Sequence, residues 1–384
     1  MILFCTVVCS VWGVPARRGG IVKTQPDGTQ ITVYQHGDEH FRWITNEKGE
    51  WLEVDKNGFY QVTEALSAEE IRVKQMAAPS RIAQAQKAAT PLNIAPRGLV
   101  ILVNFADVKF ATNKAELDSM LTGKNYSRDY SYMYGGRKYF VTSNGSAWQY
   151  FYESSNGQYS PQFDVVGPVT LSNPVAHYGG NGNNGDDVLP GDMVVEACSI
   201  ADATLDVDFS QYDNDGDGYV DFVYIIYAGY AESESAISNH IWPHNWDLIS
   251  ALYFGYTNQK EYYANSETDY KLPSYDGKLV NSYACSNELR KTTDQRAGIG
   301  TICHEFSHVL GLPDYYLTTA SPVVQQRETP GAWSLMGYGN YLNDGNTPPN
   351  YSVYDKYYLG WLEPEVLAQT KTLEIPADGQ TTYM

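Results

Sequence analysis

The sequence predicts an α+β fold with two units: a small β-rich unit near the N-terminus and a larger unit of buried strands and helices. Three observations support this prediction. Polar and apolar residues alternate in short runs before residue 76, continuous apolar runs typical of doubly buried strands occur after residue 97, and one helix-like stretch carries an H-E-x-x-H motif at 304–308. With 384 residues, the chain is too long for one ordinary core, which favours more than one unit.

The composition is that of an acidic globular protein. Hydrophobic residues make up 43% and charged residues 18% of the chain, which argues against disorder. Asp plus Glu number 45 against 26 for Lys plus Arg, a formal charge of −19. Such a surface repels phosphate backbones and anionic lipid, which argues against nucleic-acid and membrane-surface roles, and it favours hard cations such as calcium. We expect a monomer.

The first residues form an apolar run over positions 2–12. The run is too short to span a bilayer and has the position of a signal-peptide core, so residues 1–16 are predicted to be a signal peptide, with Gly13 or Ala16 at the cleavage point. A lipid attached to Cys9 is the alternative. No later segment has the length and apolarity of a membrane span. We therefore expect a secreted protein without membrane insertion, with surface attachment left open.

Residues 17–76 are predicted to form the β-rich unit, and they are interpreted as a propeptide. Gln30–Tyr34 alternates polar and apolar side chains, and residues 57–58 (Asn-Gly) form a strong hairpin turn after a strand-like run. A capping-box pattern at 67–70 opens a short helix that ends near residue 76. The Ala-, Gln- and Pro-rich stretch over 77–96 is a linker and the expected region of activation cleavage.

The larger unit is predicted to span residues 97–365. Apolar runs predict its buried strands, and periodic stretches with capping and breaking signals predict its helices. The predicted strands cover 98–105 and 222–227, and the predicted helices cover 114–121, 147–154, 193–201, 299–310 and an aromatic-rich stretch over 349–361. The pattern turns β-like again over 366–384, where we expect the start of a truncated C-terminal β segment.

The clearest motif is His304-Glu305-x-x-His308 on a predicted helix. Residues four apart lie on one face of a helix, so both imidazoles can bind one metal ion, and Glu305 is then placed as general base for the attacking water. Gly311 lets the chain leave the helix sharply and return beneath the metal, where Asp314 supplies the third ligand. Three protein ligands with an open fourth position are typical of catalytic zinc. The alternative for Asp314 is a turn carboxylate.

A second motif lies downstream at Trp333–Tyr338. It resembles the Met-turn of the metzincin clan of zinc peptidases, in which a methionine forms a floor beneath the metal. The resemblance implies that role for Met336, although methionine also fills ordinary cores well. It implies for Tyr338 a contact with the metal or the reacting oxyanion; the alternative is one more tyrosine in a chain that contains 32.

A run of acidic residues precedes the predicted strand over 222–227. Carboxylates at positions one, three, five and nine and a glycine at position six match the first half of an EF-hand loop. The predicted calcium ligands are Asp213, Asp215, Asp217, Tyr219 and Asp221. The twelfth position is Tyr224, so the loop is not a complete EF-hand. The candidates for the remaining ligand are Asp206, Asp208 and Glu196. Four carboxylates this close repel one another, which favours at least one bound calcium over a solvated turn.

The joint pattern resembles the immune inhibitor A-type (M6-like) secreted metallopeptidases of Bacteroides-like bacteria. The matching stretches are 97–107, 163–169, 207–229, 241–244, 283–288, 298–315 and 333–341. The resemblance implies a metzincin-like zincin catalytic domain over residues 97–365, one catalytic zinc ion, structural calcium and an N-terminal propeptide. It carries the zinc ligands over as His304, His308 and Asp314 and the base as Glu305.

The resemblance also implies that the propeptide inhibits the enzyme. No cysteine lies between residues 16 and 97, which excludes a cysteine switch. A carboxylate such as Asp38 or Glu39 is the candidate group that blocks zinc.

Five further residues were considered as ligands. No CxxC spacing exists, so a thiolate zinc site is not expected, and one disulfide is possible among Cys198, Cys285 and Cys303. His240 and His244 flank an Ile-Trp-Pro segment; they line the cleft, join a second metal site or have a structural role.

These patterns predict a secreted zinc metalloendopeptidase that cleaves proteins or peptides, is made as a latent zymogen and is stabilised by calcium. Two alternatives stay open. One is a catalytically silent calcium-binding adhesion module with a zincin fold, against which the intact Glu305 argues. The other is a zinc hydrolase that acts on a non-peptide bond.

Overall fold

The computed structural model describes residues 9–10, 12–38, 41–67, 70, 80–81, 95–182, 186–258, 272–316 and 329–363. The strands are β1 (Cys9–Ser10), β2 (Trp12–Gly13), β3 (Gly20–Thr24), β4 (Gln30–Gly37), β5 (Arg42–Thr45), β6 (Trp51–Val54), β7 (Tyr60–Val62), β8 (Ser80–Arg81), β9 (Arg97–Asn104), β10 (Ser127–Tyr134), β11 (Arg137–Asn144), β12 (Gln162–Thr170), β13 (Tyr219–Val220), β14 (Val223–Tyr230), β15 (His244–Asp247), β16 (Ser274–Tyr275), β17 (Lys278–Val280) and β18 (Ser282–Leu289). The helices are α1 (Lys114–Thr122), α2 (Ala147–Ser154), α3 (Val175–Gly179), α4 (Pro190–Leu205), α5 (Glu232–Ser235), α6 (Leu248–Phe254), α7 (Gly300–Val309) and α8 (Val353–Tyr358).

The N-terminal unit is a five-stranded antiparallel meander with the order β3-β4-β5-β6-β7. Its inward face is small and apolar, formed by Ile21, Val33 and Leu52. The turn predicted at residues 57–58 is present because Gly58 takes a φ of +86° and the Asp55 carboxylate accepts the backbone N–H of Asn57. The predicted β-rich character of this region is therefore seen in the described residues.

The larger unit is built on a six-stranded sheet with the order β12-β9-β14-β18-β15-β2. The strands β12, β9, β14 and β18 are parallel, whereas β15 runs antiparallel to β18 and β2 runs antiparallel to β15. Alternate residues of β9 face two different cores, which explains its continuous apolar sequence. One core holds α4, and the other holds α1, α2 and α7. The described chain is thus mixed α/β, with its motif-bearing helix against one face of the sheet.

Helix α7 has a closely packed start and a sharp end. A Cβ at Gly300 would collide with the carbonyl oxygen of Asn340, so only glycine fits where the two segments cross. Gly311 follows the helix with a φ of +97°, which is the left-handed conformation predicted for it. This exit turns the chain back toward the helix face that carries the histidines.

Some predicted elements differ in length from the observed ones. Helix α4 is longer than the predicted 193–201, since Pro190 is favourable at a first helical position. The predicted aromatic helix over 349–361 is shorter, because Ser352 and Asp355 form a capping box that starts α8 at Val353. Ser67 and Glu70 form the reciprocal bonds of the predicted capping box. Most of the short helix and of the linker over 77–96, and the C-terminal segment over 366–384, lie outside the described residues.

The three cysteines Cys198, Cys285 and Cys303 are buried free thiols, so the structure contains no disulfide among them. Within the described part of the chain, no helix is both long and apolar enough to cross a bilayer.

Candidate active site

The two motif histidines and Asp314 converge on one point. Nε2 of His304 and Nε2 of His308 are 3.2 Å apart, and Oδ1 of Asp314 lies 3.1 Å from the first and 3.5 Å from the second. Zinc bonds of about 2.0–2.1 Å place neighbouring ligand atoms of a tetrahedron roughly 3.3 Å apart. The three atoms therefore have the spacing of three corners of a zinc tetrahedron.

The ring orientations show which nitrogens are available to a metal. Nδ1 of His304 lies 2.8 Å from the carbonyl oxygen of Leu335, and Nδ1 of His308 lies 2.7 Å from that of Leu312. A carbonyl oxygen only accepts hydrogen bonds, so each Nδ1 carries the proton and each Nε2 is left with a lone pair. Two such lone pairs facing each other at 3.2 Å are explained by a cation between them.

The segment around Met336 holds both parts of the ligand set. The carbonyl of Leu335 accepts from His304, and the carbonyl of Met336 accepts the backbone N–H of Tyr315 at 2.7 Å, one residue after Asp314. Met336 is fully buried in the core that also contains Cys303. This turn therefore fixes the helix ligand and the returning loop ligand relative to each other.

Burial and charge act on the three converging side chains. Burial lowers the pKa of His308, which favours its neutral ring. Burial alone would raise the pKa of Asp314, but the positive charge that His308 and His304 carry when they are protonated holds that pKa below its usual value. No hydrogen-bond donor reaches Asp314 Oδ1 among the described residues, although the atom is buried. An unpartnered buried carboxylate oxygen beside two lone pairs fits a metal ligand set.

Glu305 is completely buried, and neither of its carboxylate oxygens has a hydrogen-bond partner in the described chain. Burial, followed by the negative charge of Asp314, raises the pKa of Glu305 well above its usual value, and the nearby backbone N–H of Val14, which lies outside hydrogen-bonding geometry, opposes this rise. A carboxylate with a raised pKa beside a metal site is suited to accepting and returning a proton.

A short N-terminal segment, Gly13–Arg18, lies against this site. Strand β2, at the edge of the sheet, pairs with β15, and three consecutive carbonyls are held by side chains of the larger unit. The bonds are Tyr316 hydroxyl to Gly13 oxygen, Trp242 indole to Val14 oxygen at 2.7 Å and Tyr341 hydroxyl to Pro15 oxygen at 2.8 Å. Residues 13–16 are buried, and the backbone N–H of Val14 lies close enough to the Glu305 carboxylate to lower its pKa.

Tyr338 stands at the far end of this segment. The Arg18 guanidinium lies 3.9 Å from the centre of its ring, and the ring of Tyr316 is 6.2 Å away. Tyr338 therefore lies beside the N-terminal segment. Its contact with an oxyanion stays a prediction.

The predicted calcium loop is assembled in part. Carboxylate oxygens of Asp213, Asp215 and Asp221 all lie within 4.8 Å of one another. Asp217 is not part of that cluster, and its carboxylate accepts the backbone N–H of Tyr219 at 3.0 Å. Lys278 Nζ lies 2.8 Å from Asp213, where it already offsets one negative charge.

Two of the three residues considered for completing that shell, Glu196 and Asp208, make hydrogen bonds elsewhere. Glu196 accepts from the backbone of Ser172 at 2.7 Å and from the hydroxyl of Tyr178 at 2.6 Å. Asp208 caps the short 3₁₀ helix that follows it by accepting the backbone N–H of Ser210 at 3.0 Å. Neither side chain is therefore directed to the loop by its own hydrogen bonds.

The two candidate histidines outside the H-E-x-x-H motif have protein partners of their own. Nδ1 of His244 lies 2.7 Å from the carbonyl of Trp242, and the His240 ring stacks on Tyr230. Among the described residues, no metal-sized cluster contains either histidine. Asp38, a candidate zinc-blocking group, accepts the backbone N–H of Phe41 at 3.0 Å inside its own turn. Glu39, the other candidate, is outside the described residues.

The sequence patterns do not identify the residues that bind the carbonyls of the N-terminal segment. Trp242 and Tyr341 lie in stretches that carry the family resemblance, but nothing in their spacing shows that they bind a peptide carbonyl. Tyr316 has no pattern around it that distinguishes it from the other tyrosines.

Comparisons with known proteins agree with the motif. The family model described as immune inhibitor A peptidase M6, catalytic domain, matches residues 88–362. "Immune inhibitor A" of Bacillus thuringiensis subsp. alesti is 29% identical over 287 residues, covering 68% of this chain and 39% of that protein. "Pre-pro-metalloprotease PrtV" of Vibrio cholerae serotype O1 (strain M66-2) is 25% identical over 291 residues, covering 68% of this chain and 29% of that protein. The chain spans less than half the length of these relatives.

Proposed function

The chain belongs to the immune inhibitor A peptidase family, M6, and on that premise we propose that it is a secreted zinc-dependent metalloendopeptidase made as a latent precursor. The observation that carries the proposal is the buried ligand set of His304, His308 and Asp314 with the unpartnered Glu305 beside it. The apolar N-terminal run is the basis for proposing secretion. The protein substrates, like the activity itself, are proposals.

His304, His308 and Asp314 are the residues that would hold zinc. When bound, zinc polarises the scissile carbonyl and the attacking water as a Lewis acid. Leu335 and Leu312 keep both rings in the tautomer that the metal needs. The Met336 turn serves as the floor of the site, in keeping with the metzincin-like fold that we propose for this unit.

Glu305 acts as the general base and then the general acid. It takes one proton from the attacking water as the carbon–oxygen bond forms, and it passes that proton to the amine nitrogen as the carbon–nitrogen bond breaks. Its burial keeps the proton from exchanging with bulk solvent during the step. Tyr338 is proposed to donate to the developing oxyanion.

Latency follows from the N-terminal segment. Gly13–Ala16 fills the approach to Glu305 and presents its backbone to β15 as an extended substrate would. Arg17 continues the contact, 3.2 Å from Asp344, and its backbone N–H donates to the carbonyl of Ser233. We place the inhibitory contact in these residues together with the N-terminal β unit. The predicted boundary after residue 16 cuts through this segment.

Val14→Asp should raise the peptidase activity of the full chain. Val14 is fully buried against Trp242 near Glu305, and a carboxylate there is desolvated and repelled. A penalty of about 1–3 kcal/mol for burying a polar group corresponds to roughly 5–150-fold more open cleft. Fluorogenic peptide turnover measures the effect on protein whose N-terminus is verified by mass spectrometry to include residue 14.

Val22→Asp is the matched control for Val14→Asp, since Val22 is 39% exposed on β3. It should leave turnover at the wild-type level. Equal activity of Val14→Asp and wild type would remove the segment from the latency mechanism.

The acidic loop is proposed to bind one structural calcium ion through Asp213, Asp215, Asp217, Tyr219 and Asp221. The close approach of three of these carboxylates supports the site. The loop directly precedes β14, a central strand of the catalytic sheet, so order in the loop supports the sheet behind it.

Asp215→Ala with Asp217→Ala should abolish stabilisation by calcium. A ligand that binds only the folded state stabilises it by about 2.7 kcal/mol at a hundredfold excess over its dissociation constant. Wild type should therefore melt at a higher temperature as calcium is titrated with zinc already saturating, and the double variant should not respond. Asp129→Ala with Asp294→Ala removes the same charge from exposed sites and should keep the response. A calcium response in the Asp215/Asp217 variant would contradict the calcium site and would mean that the loop is a solvated turn.

Casein zymography of the Val14→Asp chain, with and without a chelator, tests the function as a whole, because latency would hide the activity of the unaltered chain. A metalloendopeptidase clears casein, loses that activity to the chelator and regains it with zinc. A chain that binds zinc but leaves casein and peptide libraries uncut would instead be the silent calcium-binding module. Hydrolysis restricted to non-peptide bonds would indicate a zinc hydrolase that acts on another class of substrate.

A further inference from the structure

Arg42, on strand β5 of the N-terminal unit, reaches into the larger unit. Its side chain is only 3% exposed. Among the described residues, all polar contacts of this side chain are made by one guanidinium nitrogen, Nη2. Nη2 lies 2.8 Å from Oδ1 of Asn181, 3.0 Å from Oδ1 of Asp187 and 2.8 Å from Oε2 of Glu232. The guanidinium carbon stands 4.9 Å from the centre of the Trp242 ring, a cation–π contact. We call this site the Arg42 pocket.

The guanidinium does not match the Arg42 pocket fully. Three oxygen atoms surround one NH2 group, which carries two hydrogens. Among the residues that the structure describes, Oε2 of Glu232 has no hydrogen bond, and neither have Nε and Nη1 of Arg42, although all three atoms are buried. A primary ammonium has three hydrogens on one nitrogen and would satisfy the three oxygens together. The arrangement of acceptors is that of an ammonium site.

The pocket needs a cation. Asp187 and Glu232 are 6% and 4% exposed, and burial raises the pKa of each to about 7. Oδ1 of the neighbouring Asp186 is also buried, and no described residue forms a hydrogen bond with it. If Arg42 left with its unit, these carboxylates would be buried without compensation, which is costly. Both lie within the part of the chain that matches the peptidase family, so they stay when the N-terminal unit is removed.

Trp242 links the Arg42 pocket to the cleft. Its ring packs on Arg42, its indole N–H holds the carbonyl of Val14, and its backbone N–H donates to Asp187 at 2.9 Å. The residue that holds the extended segment thus also forms one wall of the pocket. A peptide that replaces Gly13–Ala16 would run directly beside the acidic opening.

We propose that the Arg42 pocket is a recognition site for a basic side chain of the substrate, with lysine as the preferred ligand, and that Arg42 occupies it in the precursor. This inference rests on the proposed peptidase function. Asn181, Asp187 and Glu232 bind the ammonium group, and Trp242 packs on the side-chain stem.

Chemical rescue of Arg42→Ala tests the site without any enzyme assay. The full-chain variant should melt below wild type, and methylammonium should restore about half or more of the lost melting temperature by binding the folded state. Tetramethylammonium has the same charge but no N–H donor and should not restore it. Arg42→Ala combined with Glu232→Gln should lose the rescue. Arg137→Ala, at an exposed position on β11, is the control and should not respond to either salt.

Substrate preference tests the role. In the Val14→Asp/Arg42→Ala chain, where cleft and pocket are both open, peptides with lysine near the cleavage site should exceed their norleucine analogues in kcat/KM by roughly tenfold. Glu232→Gln in the same background should remove the preference.

The rescue experiment and the substrate-preference experiment together distinguish which part of the inference is wrong. Rescue without a lysine preference would make the pocket an anchor for the N-terminal unit alone and would overturn the inference. Absence of rescue would overturn the site itself. Rescue by methylammonium in a chain that cleaves no peptide at all would contradict the peptidase proposal and, with it, the substrate role, while the ammonium site would stand.

Discussion

Glu305→Gln should lower kcat for peptide hydrolysis by about 10²–10⁴-fold while leaving the zinc content unchanged. The glutamine amide keeps the size of the side chain but cannot accept a proton from the attacking water. The three ligand atoms lie on other residues, so the metal should stay bound. Burial of an amide in place of a carboxylate should, if anything, raise stability, because the carboxylate oxygens have no hydrogen-bond partners in the described chain.

Metal analysis and peptide turnover on the same preparation decide this prediction. The activating Val14→Asp change should be present in both proteins, so that latency does not hide the difference. Glu153→Gln, an exposed position on α2, makes the same chemical change outside the site and should leave kcat unaltered. Turnover at the parental rate in Glu305→Gln would remove Glu305 from the mechanism.

Asp314→Ala should abolish both zinc binding and turnover. Even outer residues that only orient metal ligands contribute about 10–100-fold in affinity, so the loss of a direct ligand should exceed that range. His304 and His308 alone leave two lone pairs with no negative charge to offset the cation. The zinc-dependent rise in melting temperature should disappear together with the activity.

Metal content after dialysis against a weak chelator measures the effect of Asp314→Ala, and Asp294→Ala is the control at an exposed site. The contrast with Glu305→Gln is informative, because one variant should lose the metal and the other only the chemistry. Full zinc occupancy in Asp314→Ala would mean that the carboxylate is a turn residue and that another group is the third ligand.

The local parts of the site were predictable from the sequence. The i, i+4 spacing places His304 and His308 on one helix face, and a glycine at 311 is needed for the left-handed exit that returns Asp314. The family indicated by the motifs is confirmed by the match over 88–362. Each of these predictions depends on residues that are close in sequence, where helix geometry and backbone sterics leave few options.

The long-range parts were not predictable. The carbonyl that orients His304 comes from Leu335, 31 residues later, and any residue type supplies a carbonyl. The contact between Arg42 and Asp187 joins two units across 145 residues and has no periodic signature. Tertiary packing determines such contacts, and no local pattern in a single sequence predicts that packing.

The bond between Val14 and Trp242 has a consequence for how the chain is assembled. These residues are 228 positions apart, and Gly13 meets Tyr316 across 303 positions. Synthesis delivers the N-terminal segment first, yet its partners exist only after the parallel sheet has formed, and contacts of such high sequence separation form late. The segment therefore behaves as a tethered ligand whose effective concentration is set by the intervening chain. Cutting that tether converts a first-order docking into a bimolecular one, so a nick alone, without removal of any contact, favours release on dilution.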